Sequence, residues 1–225
     1  MNLKRYVTGA AIAAAVAMAS SQAFALTIGN NDGGNCYPFS CGPSDGLTQY
    51  QEAYNSSAFS GPLSFDQVSF GLESPGPMDS GTYTVSFYLS TGPFNSLSSN
   101  MASNEGTFLG TLGTFNIGGT MPTTLALTGS TINYDPSMGD LLMNVDISNG
   151  SALGGYNSFF AADYTGADVS RAWNSSTNGP SGSDTGALQT TFSDVAVPEP
   201  STWAMLAFGL SMIGLTLGLR RKRTA

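Results

Sequence analysis

Residues 82–89, with the sequence Thr82-Tyr-Thr-Val-Ser-Phe-Tyr-Leu89, give the clearest structural signal in this chain. Apolar and polar side chains alternate from Thr82 to Phe87, and Leu89 keeps the same period, so an extended backbone places these apolar side chains on one face. The apolar side chains are Tyr83, Val85, Phe87 and Leu89. This alternation predicts a β-strand with one face in a hydrophobic core.

Short segments with β character lie on both sides of this strand, and no long helical period appears between residues 26 and 197. Residues 47–54 fit either a strand or a short helix. Turn residues are dense at 73–81, recur at Asp135-Pro136 and Asn149-Gly150, and predict an exposed loop at 179–186. Strands are predicted at 26–28, 63–72 with a bulge near Val68, 107–117, 123–128, 140–148, 159–164 and 187–192. This pattern predicts an all-β fold, an antiparallel β-sandwich of jelly-roll or immunoglobulin-like type.

The N-terminus has the features of a secretory signal peptide. Lys4 and Arg5 precede an apolar run over residues 7–19, and Ala23 and Ala25 have the small-x-small spacing of a cleavage site. We predict that residues 1–25 are removed by cleavage after Ala25.

The C-terminus has three parts. A Pro198-Glu199-Pro200 motif is followed by residues 203–219, which carry no charge over 17 positions. A helix of that length spans about 26 Å, which is the short end of what crosses a bilayer. A basic cluster then predicts a cytoplasmic C-terminus. The cluster is Arg220, Arg221, Lys222 and Arg223. The sequence therefore predicts one transmembrane helix over 203–219.

This ending resembles the PEP-CTERM sorting signal of exopolysaccharide-producing Gram-negative bacteria. The resemblance implies that an exosortase, a membrane cysteine transpeptidase, recognises the Pro198–Pro200 region. The helix would then hold the precursor in the cytoplasmic membrane only transiently, before the protein reaches the cell surface or extracellular matrix. An ordinary tail anchor is the alternative. The predicted organisation is a signal peptide (1–25), a β-sandwich ectodomain (26–196) and a sorting segment (197–225).

Charge and composition exclude several functions. Residues 26–197 contain 14 acidic residues and one cation, Arg171, so their net charge is 1 − 14 = −13, against −8 for the whole chain. Such a surface repels phosphate backbones, which argues against nucleic-acid binding. The chain has no histidine, which excludes Ser-His-Asp and Cys-His catalysis. A glycosidase needs only two carboxylates, so that chemistry stays open.

The sequence also contains one cysteine pair and two loops that could bind Ca²⁺. Cys36 and Cys41 are the only cysteines, and in an exported protein they predict a disulfide that closes a short loop. Residues 30–35 and 163–168 are rich in Asn and Asp and are candidate Ca²⁺ loops, although neither matches an EF-hand. Turns in which these side chains cap their own backbone are the favoured alternative. No cofactor or other metal is predicted.

One group of residues is a candidate ligand contact. Arg171, Trp173 and Asn174 combine a cation, an aromatic ring and an amide, the groups that recognise a sugar's hydroxyls and its apolar face. The competing interpretation, which we favour, is a structural ion pair between Arg171 and Asp163 or Asp168.

These observations favour an exported surface or matrix protein, associated with exopolysaccharide or biofilm and without catalytic activity. A carbohydrate-binding module is the nearest alternative and would require an exposed aromatic patch beside polar groups. A glycoside hydrolase is less favoured and would require a cleft with two facing carboxylates.

Overall fold

The computed structural model describes residues 24–121, 123–153, 158–175 and 181–194. These residues form strands and three short 3-10 turns, and none of their helical turns is long and apolar enough to cross a membrane. The strands are β1 (Ala25–Ile28), β2 (Gly33–Asn35), β3 (Leu47–Tyr54), β4 (Leu63–Ser74), β5 (Gly76–Ser90), β6 (Glu105–Met121), β7 (Thr124–Tyr134), β8 (Leu141–Ser151), β9 (Phe159–Asp163), β10 (Val169–Ser175), β11 (Gly182–Asp184), β12 (Ala187–Leu188) and β13 (Thr190–Ser193).

The strands form two antiparallel sheets. The seven-stranded sheet has the order β1-β13-β4-β9-β12, with β2 paired to β9 and β7 paired to β4. The six-stranded sheet has the order β11-β10-β3-β8-β5-β6. The prediction of an all-β, antiparallel fold is therefore confirmed.

Aromatic side chains from both sheets pack against each other in a shared core. The ring of Phe192 on β13 lies 5.0 Å from that of Tyr54 on β3, and Phe65 on β4 lies 5.0 Å from Phe87 on β5. All four side chains are fully buried, and their edge-on contacts have the geometry that aromatic rings prefer. The apolar face predicted for residues 82–89 is the buried face of β5.

The predicted Cys36–Cys41 disulfide is present, with 5.4 Å between the two Cα atoms. The loop that it closes carries Phe39, which is fully buried and lies 5.1 Å from Phe70 and 5.3 Å from Tyr83, between ring centroids. The loop thus inserts an aromatic ring into the core that the two sheets share.

Two predicted turn or loop regions contain strands. β5 begins at Gly76, within the predicted turn at 73–81, because Gly76–Met78 pair with the end of β6. A register shift between Met78 and Gly81 accommodates the additional residues, a bulge that strand alternation alone does not reveal. Part of the predicted loop at 179–186 is the short edge strand β11.

Other local predictions are resolved by the pairing of strands. Residues 47–54 form strand β3, not a helix, and β10 is a strand that periodicity did not indicate. The predicted turn at Asn149-Gly150 is instead a bulge inside β8, where two residues oppose one residue of β5. Asn149 adopts φ 52° there, a left-handed conformation that Asn tolerates. In β4 the register shifts between Phe65 and Gln67, close to the predicted bulge.

The first and last described residues lie side by side. Ala25 of β1 is opposite Ser193 of β13, the Phe24 N–H donates to Asp194 Oδ1 (2.5 Å), and the Asp194 N–H donates to the Phe24 carbonyl (3.3 Å). The predicted signal cleavage after Ala25 falls at the first residue of β1. Ala23 and the rest of 1–23, together with the sorting motif, the helix at 203–219 and the basic tail, lie outside the described residues.

Candidate functional site

The three residues predicted to contact a ligand do not share one surface. Side chains alternate along β10, so Arg171 and Trp173 point between the sheets while Asn174 points to the opposite face. Only 9% of Arg171 is exposed, and Trp173 packs against the core. Asn174 lies directly opposite Gln49 of β3, on the outer face of the six-stranded sheet.

Arg171 forms an ion pair with Asp184, so its predicted pairing with Asp163 or Asp168 is wrong. Its Nε and Nη2 donate to the two carboxylate oxygens of Asp184, at 2.6 and 3.0 Å. The two residues are directly opposite on β10 and β11, and the pairing depends on strand β11, which local sequence patterning does not indicate. The guanidinium also lies 5.0 Å from the Trp173 ring centroid.

The ion pair changes the titration of Asp184. Partial burial alone would raise the pKa of this carboxyl, but the hydrogen bond and positive charge of Arg171 hold it below its ordinary value. The arrangement orders the β10–β11 edge and leaves the guanidinium inaccessible to a large ligand.

A second charged group is buried close by. Glu52 is fully buried on β3, directly opposite Arg171, and accepts hydrogen bonds from Tyr50 Oη (2.7 Å), the Leu188 N–H (2.9 Å) and Thr190 Oγ1 (3.0 Å). Burial raises the pKa of Glu52, although the hydrogen bonds to its carboxylate oppose that shift. Because Leu188 belongs to the other sheet, Glu52 joins the two sheets and has a structural role.

The outer face of β10, β3, β8, β5 and β6 carries mainly polar side chains in register, with Ala172 as the apolar exception in the rows below; we call it the polar face. Residues opposite one another on neighbouring strands form rows across the sheet. The rows are Ala172, Gln51, Asn144, Ser86 and Thr111; Asn174, Gln49, Asp146, Thr84 and Thr114; and Ser148, Thr82 and Asn116. Cross-strand hydrogen bonds join Ser86 to Thr111 (2.9 Å), Thr84 to Thr114 (3.0 Å) and Thr82 to Asn116 (3.0 Å).

Five side chains at the centre of the polar face form one hydrogen-bonded group, which we call the amide cluster. Gln49 Nε2 and Gln51 Nε2 both donate to Asn144 Oδ1, at 2.8 and 3.1 Å. The same two amides donate to Glu105 Oε1, at 3.3 and 3.0 Å. Asn144 Nδ2 donates to Asp146 Oδ2 at 3.0 Å. Gln51 and Asn144 are buried, so these two side chains have fixed positions within the cluster.

The two carboxylates of the amide cluster remain available to a ligand. Asp146 is exposed and Glu105 is half-buried. Within the described ranges, no hydrogen-bond donor reaches Glu105 Oε2 or Asp146 Oδ1. Partial burial raises the pKa of Glu105, and the negative charge of Asp146 raises it further. Each carboxylate thus presents one oxygen that can accept a hydrogen bond from a ligand.

Two aromatic rings border the amide cluster. Tyr88 on β5 and Phe108 on β6 are opposite each other, with 5.3 Å between ring centroids, and Phe108 is 56% exposed. Burial raises the pKa of Tyr88, and the negative charges of Glu105 and Asp146 add to this effect. Aromatic rings, amides and carboxylates therefore meet on one open surface.

The sequence carries a signal for this surface, although the predicted site residues do not include it. Gln49 and Gln51, and likewise Asn144 and Asp146, are two residues apart, and such pairs share one face of a strand. Their convergence with Glu105 depends on the order of β3, β8, β5 and β6, which alternation alone does not give.

The two candidate Ca²⁺ loops, 30–35 and 163–168, lie against each other. Asp163 Oδ2 accepts from the backbone N–H of Asn30 (2.9 Å), and its Oδ1 accepts from the N–H of Thr165 (2.7 Å). Burial would raise the pKa of Asp163, but these hydrogen bonds hold it below its ordinary value. The carboxylate thus caps backbone groups, and the described residues contain no group of three His, Cys, Asp or Glu that could hold a metal.

An open groove of about 410 Å³ lies elsewhere, beside the turn that follows β7. Its lining is mainly apolar and includes Met138, which is 64% exposed. The lining residues are Pro62, Leu63, Ser64, Leu89, Leu109, Asn133, Tyr134, Asp135 and Met138. The groove has fewer polar groups than the polar face and carries no evident chemistry.

Comparison with known proteins identifies the C-terminal segment. Residues 196–223 match the model of the PEP-CTERM protein-sorting motif, which confirms the predicted sorting segment. The motif implies export, an exosortase as processing partner, and a membrane-anchored precursor that then reaches the surface. No curated protein and no solved structure matches the chain.

Proposed function

We propose that this chain is a non-catalytic structural protein of the cell surface or exopolysaccharide matrix, delivered there by exosortase processing. The observation that carries the proposal is the sorting motif, whose match begins at residue 196, directly after a folded domain whose last strand ends at Ser193. Such an arrangement suits a domain that is exported and then released or attached at the surface.

The proposed route has three steps. The signal peptide is removed after Ala25, the helix at 203–219 holds the precursor in the cytoplasmic membrane, and the exosortase acts near Pro198–Pro200. The basic tail from Arg220 to Arg223 keeps the C-terminus in the cytoplasm until that step. The mature protein then comprises the β-sandwich and joins the extracellular matrix.

Two features support the absence of catalysis. Residues 26–197 contain neither histidine nor lysine, which leaves paired carboxylates as the main catalytic option. Glu105 and Asp146 share one face, but Gln49 and Asn144 connect them through hydrogen bonds. A glycosidase needs open space for the scissile bond between its carboxylates, and here amide groups link the two.

The strand order favours the jelly-roll form of sandwich and, with it, carbohydrate binding as the second candidate function. Eight strands form two groups, β1-β13-β4-β7 and β3-β8-β5-β6, and successive strands of this set alternate between sheets except at β5–β6. That is the connectivity of two interlocked Greek keys. Jelly rolls include lectin domains, which is an analogy of fold alone.

The route can be tested in the native host by intact-mass analysis of matrix and envelope fractions. The wild-type matrix form is expected to begin at Leu26 and to end near Pro198–Pro200. Replacement of Pro198, Glu199 and Pro200 by Ala should leave a tail-bearing form in the envelope, whereas Ser130→Ala, at an exposed site on β7, should behave as wild type. A wild-type matrix form that retains the tail through Ala225 would sink the exosortase proposal.

The absence of catalysis has its own test. The mature protein, incubated with the host's exopolysaccharide, should release no new reducing ends. Release that disappears in Glu105→Gln would show that the protein is a glycosidase.

A further inference from the structure

We propose that the polar face binds an uncharged polysaccharide, with the amide cluster as its centre and Phe108 at its border. This inference rests on the proposed function, since it supplies the contact by which a matrix protein would be retained. It assigns a ligand class to a surface that the sequence did not single out.

One row of the polar face offers accessible hydrogen-bonding groups on all five strands: Asn174, Gln49, Asp146, Thr84 and Thr114. Neighbouring strands are about 4.8 Å apart, so a chain lying across them meets a new polar side chain at each strand. That spacing is comparable to the length of a pyranose unit. Thr111 and Thr114 are exposed, and Thr84 and Asn174 are half-buried, so hydroxyl and amide groups are accessible along the rows.

The amide cluster is ordered before any ligand arrives. Gln51 is fully buried and accepts at its Oε1 from Asn104 Nδ2 (2.8 Å), while its Nε2 donates to the Met101 carbonyl (3.2 Å). These contacts hold Gln51, which in turn positions Glu105 and Asn144. A ligand would therefore meet fixed acceptors, which lowers the entropy lost on binding.

The aromatic border supplies the other half of sugar recognition. A pyranose ring has an apolar face of C–H groups, and an exposed aromatic ring can cover it while its hydroxyls reach polar neighbours. Phe108 is 56% exposed, and Tyr88 supports it from the neighbouring strand. The contact with Tyr88 covers only part of the Phe108 ring, so the rest of the ring is open to a ligand.

Charge selects the class of polysaccharide. The polar face contains Glu105 and Asp146, and Arg171, the only cation of residues 26–197, points between the sheets. An acidic polysaccharide would meet two carboxylates with no cation on this face among the described residues. The same two carboxylates can accept hydrogen bonds from the hydroxyls of an uncharged chain, so uncharged polymers are favoured.

The test uses the processed protein purified from its host and two probes, the uncharged and the acidic fractions of the host's exopolysaccharide, in affinity gel electrophoresis. The wild type should be retarded by the uncharged fraction. Phe108→Ala should weaken that retardation by about tenfold, the loss expected when one good contact is removed. Met138→Ala is the matched control, because Met138 is similarly exposed but lies away from the polar face.

A charge reversal separates ligand contact from a structural role. Asp146→Lys should reduce binding of the uncharged fraction and create binding of the acidic fraction, which loss of packing would not produce. Thermal unfolding of Phe108→Ala should stay close to that of the wild type, because its side chain is exposed. Asp146→Lys should lower the melting temperature, because the buried amide of Asn144 loses its acceptor, but that loss of stability would not create binding of the acidic fraction.

The inference is overturned if the wild type binds neither fraction, if it prefers the acidic one, or if Phe108→Ala and Met138→Ala bind equally. The proposed function is tested separately, by the intact mass of the wild-type protein and by the fraction in which it is found. A correctly processed protein in the matrix with none of these binding differences would mean that only the polar-face inference fails.

Discussion

The side-chain amide of Asn144 donates a hydrogen bond to Asp146, two residues further along the same strand, at 3.0 Å. Its carbonyl oxygen accepts from both Gln49 and Gln51 on the neighbouring strand. Asn144 is 2% exposed, so a single buried amide holds the polar groups of two strands in place.

Replacement of Asn144 by Leu should therefore be costly. Asp146 loses its donor, and Gln49 and Gln51 lose a shared acceptor although both still donate to Glu105 Oε1. Each lost hydrogen bond lowers the unfolding free energy by about 0.5–1.5 kcal/mol. Urea unfolding measures this loss. Asn133→Leu is the matched control, since Asn133 is exposed on β7 and should change the unfolding free energy by less than about 0.5 kcal/mol. Equal effects of the two substitutions would contradict the structural role of Asn144.

The buried carboxyl of Glu52 predicts a pH dependence with a definite sign. Burial raises its pKa above the ordinary 4.5, so the folded protein binds the proton more tightly than the unfolded chain. The stabilisation by the protonated form is complete below pH 4.5 and is lost as the pH rises through the folded-state pKa. Relative to Glu52→Gln, the wild type should lose at most about 1.4 kcal/mol per pH unit across that window.

The measurement for Glu52 is urea unfolding of both proteins at a series of pH values from 4 upwards. The difference between the two unfolding free energies isolates Glu52, because the other groups are common to both. A difference that stays constant, or grows in favour of the wild type with rising pH, would contradict the raised pKa.

The ion pair of Arg171 and Asp184 predicts that loss of the anion lowers stability more than loss of the cation. Asp184→Asn leaves a largely buried guanidinium without its anionic partner and should cost about 1–2 kcal/mol, less than for a fully buried pair because the Asp184 side chain is 44% exposed. Arg171→Met fills the same volume with an apolar chain and leaves only a half-exposed carboxylate, so it should cost less. Chemical denaturation of both variants tests the order, and the reverse order would contradict it.

A glycine on β7 marks a close approach of two strands. A Cβ atom added at Gly129 would lie 1.9 Å from the carbonyl oxygen of Leu112 on β6, whereas one added at Gly71 on β4 meets nothing within 4 Å. Gly129→Ala should force the backbones apart and cost about 1–3 kcal/mol or more, while Gly71→Ala should be close to neutral. Similar melting temperatures for the two variants would show that β6 and β7 are not in close contact.

The sequence predicts those parts of the fold that depend only on neighbouring residues. Residues 82–87 alternate and Leu89 continues the period, so the strand and its buried face follow from period-two patterning alone. The disulfide follows from having only Cys36 and Cys41 in an exported chain. Both conclusions need only neighbouring residues.

The errors arise where pairing between distant strands decides the outcome. Gly76–Ser80 look like a turn by composition, yet they continue β5 because β6 and β8 provide partners. Arg171 finds Asp184 only because β11 is paired to β10, and Glu105 meets Asn144 only through the order of the sheet. Local composition carries none of this information, so the candidate site was largely missed.

The central claim, that the polar face holds an uncharged polysaccharide, is tested most directly by hydroxyl-radical footprinting of the mature protein with and without the host's uncharged fraction. Four oxidisable side chains provide the comparison: Tyr88 and Phe108 on the polar face, and Met138 and Tyr164, which are exposed elsewhere. The account predicts that the polysaccharide protects Tyr88 and Phe108 and leaves the oxidation of Met138 and Tyr164 unchanged. Protection of Met138 or Tyr164 without protection of Phe108, or no protection at all, would contradict it.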